Sequence, residues 1–354
     1  MRKIKVAVLF GGVSSEHEVS RRSCCLVLDH IDREKYDVYP IGIAKNGDFF
    51  YYQGESANIP DGQWEQDTNN RPVVFSLNGK KGFSVVAEDG TLTALDIDVV
   101  FPVLHGKNGE DGTLQGMLML AGIPYVGSDA RSSALAMDKV YTHIVLENAG
   151  IPMAKWDFVK QADMGMFDEI EMRLANKLGY PMFVKPANAG SSVGVTKATD
   201  KQSLKEGILK ALKEDDKALI EETIDGVEIE CAALGTTDDA FISCVGEIES
   251  CNEFYDYEAK YIDDGSNVYI PARIPANAEQ TARAYAKRAF SALGCYGLSR
   301  IDSFVTRKEG RVILNEINTL PGFTSISMYP MLIERSGKDH AQMVDALIQL
   351  ALDR

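Results

Sequence analysis

The sequence predicts an α/β protein, with α+β character in its C-terminal half, divided into two or three domains. Its 354 residues exceed what one hydrophobic core usually serves. Short apolar runs at 4–10, 37–43 and 98–103 are typical of buried strands, and helical patterns separate them. This alternation favours an N-terminal domain built on a parallel sheet.

The first strand is expected to lead through a turn into a helix. Gly11 and Gly12 make the turn, and Ser15 with Glu18 has the form of a capping box that would begin a helix running to His30. The turn lacks the spaced third glycine of a dinucleotide fingerprint, and the sequence contains no P-loop motif. A nucleotide would therefore have to bind in another way.

Composition excludes several classes of partner. The net charge of −15 argues against nucleic acid and anionic membrane surfaces, since both attract basic proteins. The apolar run near the N-terminus is too short for a signal peptide, and no stretch approaches ~18 apolar residues. The six cysteines include no C-x-x-C pair, which predicts reduced thiols in a cytoplasmic protein.

The middle of the chain is predicted to form a second unit. A helix at 141–149 would end at Gly150, and strands are expected at 182–185 and 218–222. The last third ends in a helix whose apolar positions recur at helical spacing: Met343, Leu347, Leu350 and Ala351.

The strongest chemical signal is a predicted hairpin of strands at 298–304 and 311–317. Because side chains alternate along a strand, polar residues fall on one face of each: Arg300 and Asp302 on the first, Glu316 and Asn318 on the second. If these faces coincide, three oxygen ligands and a guanidinium meet. Such ligands suit Mg²⁺ shared with substrate phosphates. A structural arginine–carboxylate network is the alternative.

Three further segments have the composition of ligand-binding loops. The small-residue loop at 186–195 could fold backbone N–H groups around phosphate, and glycines around His105 allow close backbone approach. The aromatic segment 254–261 could form a lid that excludes water. The alternative for 186–195 is a flexible hairpin loop, that for the glycines around His105 is a tight turn, and that for 254–261 is core packing.

Motifs along almost the whole chain, from about residue 4 to 350, resemble those of the D-alanine–D-alanine ligases, an ATP-grasp family. The matching segments are 11–20, 105–106, 110–116, 137–139, 190–194, 255–261 and 318–325. The resemblance implies three domains, at 1–138, 139–227 and 228–354, with a lid at about 251–269. The stretch 46–95 is covered least.

The resemblance also implies how ATP is held. Lys139 and Lys185 would contact its phosphates, Glu221 would lie at the adenine and Glu228 at the ribose. Lys260 would reach the γ-phosphate from the lid. Two Mg²⁺ ions, or Mn²⁺, would be held by Asp302, Glu316 and Asn318.

The amino-acid sites follow from the same resemblance. Glu16 would pair with the ammonium of the first D-amino acid, His105 would lie near its carboxylate, and Ser191 and Tyr261 would join Glu16 in a hydrogen-bonded set. Two groups would stabilise the oxyanion: Arg300 and the N–H of Gly322. Two residues would line the second pocket: Ser327 and Met328.

The implied activity is ATP-dependent ligation of two D-alanines through an acylphosphate, for peptidoglycan precursor synthesis, by a cytoplasmic homodimer. Many members carry histidine where Ile326 stands, so the second-substrate pocket differs locally. The alternatives are a vancomycin-resistance ligase that makes D-Ala–D-Ser or D-Ala–D-lactate, another ATP-grasp carboxylate–amine ligase, and a non-catalytic ATP-binding regulator.

Overall fold

The computed structural model describes residues 2–77, 82–249 and 267–354, which form mixed α/β structure around three sheets. The first sheet has the strand order β6-β5-β4-β3-β2-β1-β7. Its strands are β1 (Ile4–Gly11), β2 (Tyr36–Ile43), β3 (Phe49–Tyr51), β4 (Arg71–Ser76), β5 (Gly82–Val86), β6 (Leu92–Ala94) and β7 (Val99–Pro102). The predicted parallel pairing is confirmed for β1 with β2 and β7, whereas β3, β4, β5 and β6 pair antiparallel, so the sheet is mixed.

The first helix begins later than the sequence pattern indicates. Helix α1 (His17–His30) has Glu16 at its N-cap and no side-chain cap hydrogen bond, so the predicted capping box is wrong. The hydroxyl of Ser14, not of Ser15, accepts the N–H of Glu16, and Glu18 pairs instead with Lys45. The predicted end of the helix at His30 is confirmed.

Short helices lead from the first sheet to the second. They are α2 (Thr113–Ala121), α3 (Ala130–Met137) and α4 (Lys139–Asn148). The second sheet is antiparallel, in the order β10-β9-β11-β8, and two helices belong to this unit. Its elements are β8 (Trp156–Lys160), α5 (Phe167–Lys177), β9 (Met182–Pro186), β10 (Thr196–Ala198), α6 (Lys201–Glu214) and β11 (Lys217–Glu222).

The third sheet is also antiparallel, in the order β14-β13-β12-β15-β16. Its elements are β12 (Gly226–Gly235), β13 (Ala240–Glu249), β14 (Asn267–Tyr269), α7 (Ala276–Ala292), β15 (Gly297–Thr306) and β16 (Val312–Asn318). The predicted hairpin is therefore confirmed, with Gly310 in the left-handed conformation at its turn.

The C-terminal helices join the third sheet to the first. They are α8 (Met328–Arg335) and α9 (His340–Leu352). Leu347 and Ile348 of α9 share one core with Val6 and Phe10 of β1, and Tyr36 donates a 2.7 Å hydrogen bond to Asp345. This shared core fixes the first sheet against the third.

The stretch 46–95 adds an antiparallel edge to the first sheet. Trp64 within it is fully buried and meets the Phe10 ring edge-on, with centroids 4.9 Å apart. A Cβ added to Gly42 would lie 2.2 Å from that indole, so only glycine leaves room for it. Among the described residues, no helix has the length and apolarity to cross a bilayer, and Cys24, Cys25, Cys231, Cys244 and Cys295 are free thiols.

Candidate active site

Residues of the second and third sheets, with residues of the first domain that lie outside its strands, line one cleft of about 510 Å³. Most of the residues singled out from the sequence lie on its wall: Glu16, His105, Lys139, Lys185, Ser191, Glu221, Glu228, Arg300, Glu316, Asn318, Gly322, Ser327 and Met328. Asp302 lies directly beneath, bonded to Arg300. Lys260, Tyr261 and the predicted lid lie outside the described residues, except for Asn267–Tyr269, which form β14.

Glu16 is a nearly buried carboxylate that faces this cleft. Its side chain accepts a hydrogen bond from the hydroxyl of Ser191, and the residue is 7% exposed. Two glycines press against it: a Cβ at Gly106 would lie 2.3 Å from Oε2, and one at Gly190 would lie 2.7 Å away. A negative charge in such a position suits a substrate ammonium, because a buried charge needs a partner.

The loop after β9 carries backbone strain. Ser191 and Ser192 have positive φ angles of 49° and 57°, which non-glycine residues adopt rarely and mostly at functional sites. Lys139 at the start of α4 donates a 2.7 Å hydrogen bond to the carbonyl of Ala189, which fastens the loop to that helix. The strained loop therefore lies where it can contact both Glu16 and a phosphate.

Both ring nitrogens of His105 are engaged inside the protein. Nδ1 lies 2.9 Å from the carbonyl of Leu320, and Nε2 lies 2.9 Å from the hydroxyl of Ser23. Burial lowers the pKa of His105, although the Glu16 carboxylate opposes this, so the ring is neutral. Its predicted proximity to a substrate carboxylate stays a prediction.

The polar faces of β15 and β16 coincide, because Arg300 pairs with Asn318 and Asp302 pairs with Glu316. Arg300 donates to both oxygens of Asp302, at 2.8 and 2.7 Å, and its Nε lies 3.0 Å from Glu230. Burial would lower the pKa of Arg300, but these carboxylates hold it well above its usual range. The arginine–carboxylate network thus exists within the oxygen cluster.

The donor chemistry of this cluster fits Mg²⁺. Asn318 donates to Asp302 at 3.0 Å, and the Glu316 side chain is 25% exposed into the cleft. No group of three or more His, Cys, Asp or Glu side chains in the described part of the chain could hold a metal alone. Two carboxylates and one amide oxygen would therefore act together with phosphate and water oxygens, as is usual for Mg²⁺.

Glu221 also lines the cleft, in a charge network that the sequence did not predict. Its carboxylate contacts Lys185 Nζ at 2.6 Å and His143 Nε2 at 2.8 Å. Burial would raise the pKa of Glu221, but the charge of Lys185 and the bond to His143 lower it to about 2. His143 lies four residues after Lys139 on α4, so helical spacing was the available signal.

Glu221→Gln is expected to remove stability that depends on pH. The folded pKa of about 2 lies below the ordinary 4.5, so the contribution is complete above about pH 4.5 and is lost as pH falls towards 2. The difference between these pKa values corresponds to about 3 kcal/mol. Urea unfolding should show the free-energy gap between wild type and variant narrowing from pH 6 to pH 3.

Glu222→Gln is the matched control, because the adjacent carboxylate pairs with Lys155 nearer the surface. The free energy of unfolding of Glu222→Gln should differ little from that of wild type, since ion pairs near the surface contribute little to stability. If the difference in free energy of unfolding between wild type and Glu221→Gln stayed constant over the whole pH range, the lowered pKa of Glu221 would be contradicted.

The segment after β16 forms a tight turn at the cleft. The Ser327 hydroxyl accepts the N–H of Thr324 at 3.0 Å, and a Cβ at Gly322 would lie 2.7 Å from that hydroxyl. Within the described residues, the N–H of Gly322 donates to no protein acceptor, so a ligand can receive it. Met328 is buried, packs against Gly246 and lines the cleft.

Glu110 is a second residue that the sequence did not single out. Its carboxyl accepts the N–H of Gly106 at 2.8 Å and that of Leu320 at 3.1 Å, which links the first domain's loop to the segment after β16. Burial and the nearby Glu16 raise its pKa to about 8. It therefore joins two loops, and its raised pKa favours the neutral acid beside the Glu16 carboxylate.

Two family models match most of the chain: the one described as D-ala D-ala ligase N-terminus covers residues 5–128, and D-ala D-ala ligase C-terminus covers 145–349. A D-alanine–D-alanine ligase of Acetivibrio thermocellus is 49% identical, over 99% of this chain and 96% of its own.

Two solved structures are similar over nearly the full length of this chain. The VanG D-Ala:D-Ser ligase of Enterococcus faecalis is 44% identical with a TM-score of 0.90, over 99% of this chain and 100% of its own. The D-alanine–D-alanine ligase of Coxiella burnetii is 31% identical with a TM-score of 0.87, over 100% of this chain and 95% of its own.

Proposed function

Because this chain belongs to the D-alanine–D-alanine ligase family, we propose that the cleft described above is where it joins two D-alanines. It is an ATP-dependent ligase whose substrates are ATP and D-alanine, and its dipeptide serves peptidoglycan synthesis. The observation that supports this site best is the combination of the buried Glu16 carboxylate with Lys139 and Lys185 on one cleft wall.

The first step must make a carboxylate electrophilic. A carboxylate oxygen of the first D-alanine attacks the γ-phosphorus of ATP, the bond to the bridging oxygen breaks, and ADP leaves with an acylphosphate formed. Glu16 holds the ammonium, while Lys139 and Lys185 offset negative charge on the phosphates. Glu221 contacts the Lys185 ammonium, and Glu228, on the cleft wall, would bind the ribose. Two Mg²⁺ ions, or Mn²⁺, held by Asp302, Glu316 and Asn318 would neutralise phosphoryl charge.

The second step forms the peptide bond. The amine of the second D-alanine attacks the acyl carbon, and phosphate leaves when the tetrahedral intermediate collapses. Arg300 and the N–H of Gly322 would donate to the oxyanion; both residues line the cleft, and Arg300 lies within the oxygen cluster. Lys260 and Tyr261, on the lid, would close the site against water, which would otherwise hydrolyse the acylphosphate.

D-Alanine is expected to dominate as second substrate when it competes with equal D-serine or D-lactate. Met328 offers no hydrogen-bond partner to a serine hydroxyl, and leaving that hydroxyl unpaired costs about 1–3 kcal/mol, roughly a 10- to 100-fold preference. Chromatography of the products near neutral pH measures this directly. The likeness to the VanG structure makes D-Ala–D-Ser the informative competitor: a majority of it would overturn the assignment.

Phosphate release that depends on D-alanine is the companion measurement. It should be absent without D-alanine and match dipeptide formation one to one, because each ligation consumes one ATP. Binding of ATP with no such release would identify a non-catalytic regulator.

We propose domains at 1–138, 139–227 and 228–354; each range holds one sheet, except that β12 of the third sheet begins at Gly226, two residues before the last boundary. Use of ATP supports a cytoplasmic location, and the family resemblance supports a homodimer. Light scattering coupled to size-exclusion chromatography tests the dimer, for which a mass near twice 38.9 kDa is expected.

A further inference from the structure

We propose that Ser23, which no step above uses, is a positioning residue that sets the main chain of residues 320–323, the oxyanion loop. The inference rests on the proposed function, because it assigns Ser23 a part in the ligation step through the N–H of Gly322. Ser23 would touch neither substrate nor ATP.

Ser23 lies on α1, is completely buried, and bridges two separate parts of the protein. Its hydroxyl lies 2.9 Å from His105 Nε2 and 3.1 Å from the backbone N of Phe323. The three residues come from a helix of the first domain, a loop of the same domain, and the oxyanion loop. A single hydroxyl therefore joins the first domain to the segment that carries Gly322.

The chemistry of the partners fixes the direction of every hydrogen bond. The carbonyl of Leu320 can only accept, so the proton of His105 is on Nδ1. Nε2 is then an acceptor, and the Ser23 hydroxyl must donate to it. The oxygen of Ser23 keeps its lone pairs for the N–H of Phe323. The neutral state of His105, which its burial favours, matches this arrangement.

The oxyanion loop is thereby held on both sides of Gly322. Leu320 is fixed by His105 at its carbonyl and by Glu110 at its N–H, and Phe323 is fixed by Ser23. The Phe323 ring is packed in the core, 6.2 Å from that of Phe101. Between these anchors, Gly322 lies on the wall of the cleft.

Placement of this N–H matters for the rate of ligation. An oxyanion donor contributes ~10²–10³-fold to kcat only when it aims at the developing charge. Displacement of a reacting group by about 1 Å can cost ~10²-fold. Loss of the Ser23 hydroxyl leaves the N–H of Phe323 and Nε2 of His105 without their partner, so the loop can shift while the phosphate-binding residues stay in place.

Ser20 is a matched control on the same helix. It is also completely buried, and its hydroxyl donates to the carbonyl of Val103 and accepts the N–H of Gly11 at 2.8 Å. Ser20→Ala and Ser23→Ala therefore remove the same hydroxyl group from the same helix. Each substitution leaves two hydrogen-bond partners unpaired. Only Ser23 contacts the oxyanion loop.

The experiment compares both variants in the full-length enzyme, measuring Tm, kcat, the KM for ATP, and the ratio of phosphate released to dipeptide formed. The Tm should decrease by a similar amount in both variants. Ser23→Ala should lower kcat by roughly 10-fold or more, keep the KM for ATP within about twofold, and raise the ratio above one, because a slowed ligation lets water consume the acylphosphate. Ser20→Ala should keep the ratio at one.

If Ser23→Ala does not fold, Ser23→Cys takes its place in the experiment. A cysteine side chain is close to serine in size, but its S–H is a weaker hydrogen-bond donor than the hydroxyl. Its ratio should also rise above one. A ratio of one in the folded Ser23 variants, with kcat like that of Ser20→Ala, would overturn the inference and leave the proposed function intact. Absence of dipeptide with the wild-type enzyme would instead overturn the proposed function.

Discussion

Replacing Glu316 with glutamine, or Asp302 with asparagine, is expected to lower kcat by ~10²-fold or more, the effect of losing an essential electrostatic group. Each change removes one negative charge from the oxygen cluster while keeping the size of the side chain. Asp302 and Glu316 lie opposite each other on β15 and β16, where both would contact the same metal ions. Dipeptide formation over a Mg²⁺ titration measures the loss.

The two variants should differ in stability. Asp302 is buried and accepts two hydrogen bonds from Arg300, so Asp302→Asn weakens a buried ion pair and should lower Tm. The Glu316 side chain reaches the cleft and lies 3.9 Å from Lys139 Nζ, so Glu316→Gln should leave Tm almost unchanged. Loss of activity without loss of Tm would then separate a role in chemistry from a role in folding.

Glu309→Gln is the control for both. It removes the same charge from the turn between the same two strands, where Glu309 pairs with Arg311 and is half exposed. Its kcat should equal that of wild type. Near-normal turnover of Glu316→Gln at ordinary Mg²⁺ concentration would show that the metal assignment is wrong.

The oxygen cluster was predictable because its geometry is local. Strand alternation puts Arg300 and Asp302 on one face, and a short turn at Gly310 forces the two strands to pair. The register then brings Asp302 opposite Glu316. No long-range information was needed beyond the pairing of neighbouring strands.

The partners of buried polar groups were not predictable, because they come from distant parts of the chain. Phe323 and its acceptor Ser23 are 300 residues apart in sequence, and His143 is 78 residues from Glu221. Nothing in a local pattern reports such a contact. The error at Ser15 has the same origin, since Glu18 pairs across the fold with Lys45 rather than capping its own helix.

The stretch 46–95 escaped prediction for a different reason. Its strands β3 and β6 have three residues each, too few to show a period of two clearly. What holds the stretch is tertiary packing, above all of Trp64 against Phe10 and Gly42. Likewise, apolar spacing predicted the C-terminal helix but not that it packs against the first sheet.

Glu16→Gln is expected to lower kcat/KM for the first D-alanine by ~10²-fold, because removing one member of a buried charge pair costs about 3 kcal/mol. Glutamine keeps the shape of the side chain, and its carbonyl oxygen can still accept the hydrogen bond from Ser191. The space between Gly106 and Gly190 also stays filled, so the serine loop should remain in place. Only the charge that pairs with the substrate ammonium is lost.

The control is Glu18→Gln, two residues along the same chain segment, which removes an equal charge from a surface pair with Lys45. That variant should retain the wild-type kcat/KM, since exposed ion pairs contribute little. Initial rates at saturating ATP over a wide range of D-alanine concentration, fitted with a rate equation for two sites, give kcat/KM for each amino-acid site. The decrease in kcat/KM of Glu16→Gln should be confined to the first D-alanine site, with the KM for ATP unchanged.

An equal loss of kcat/KM in both variants would mean that overall charge near α1 matters rather than a specific ammonium contact. A normal first-site kcat/KM in Glu16→Gln would remove Glu16 from substrate binding altogether.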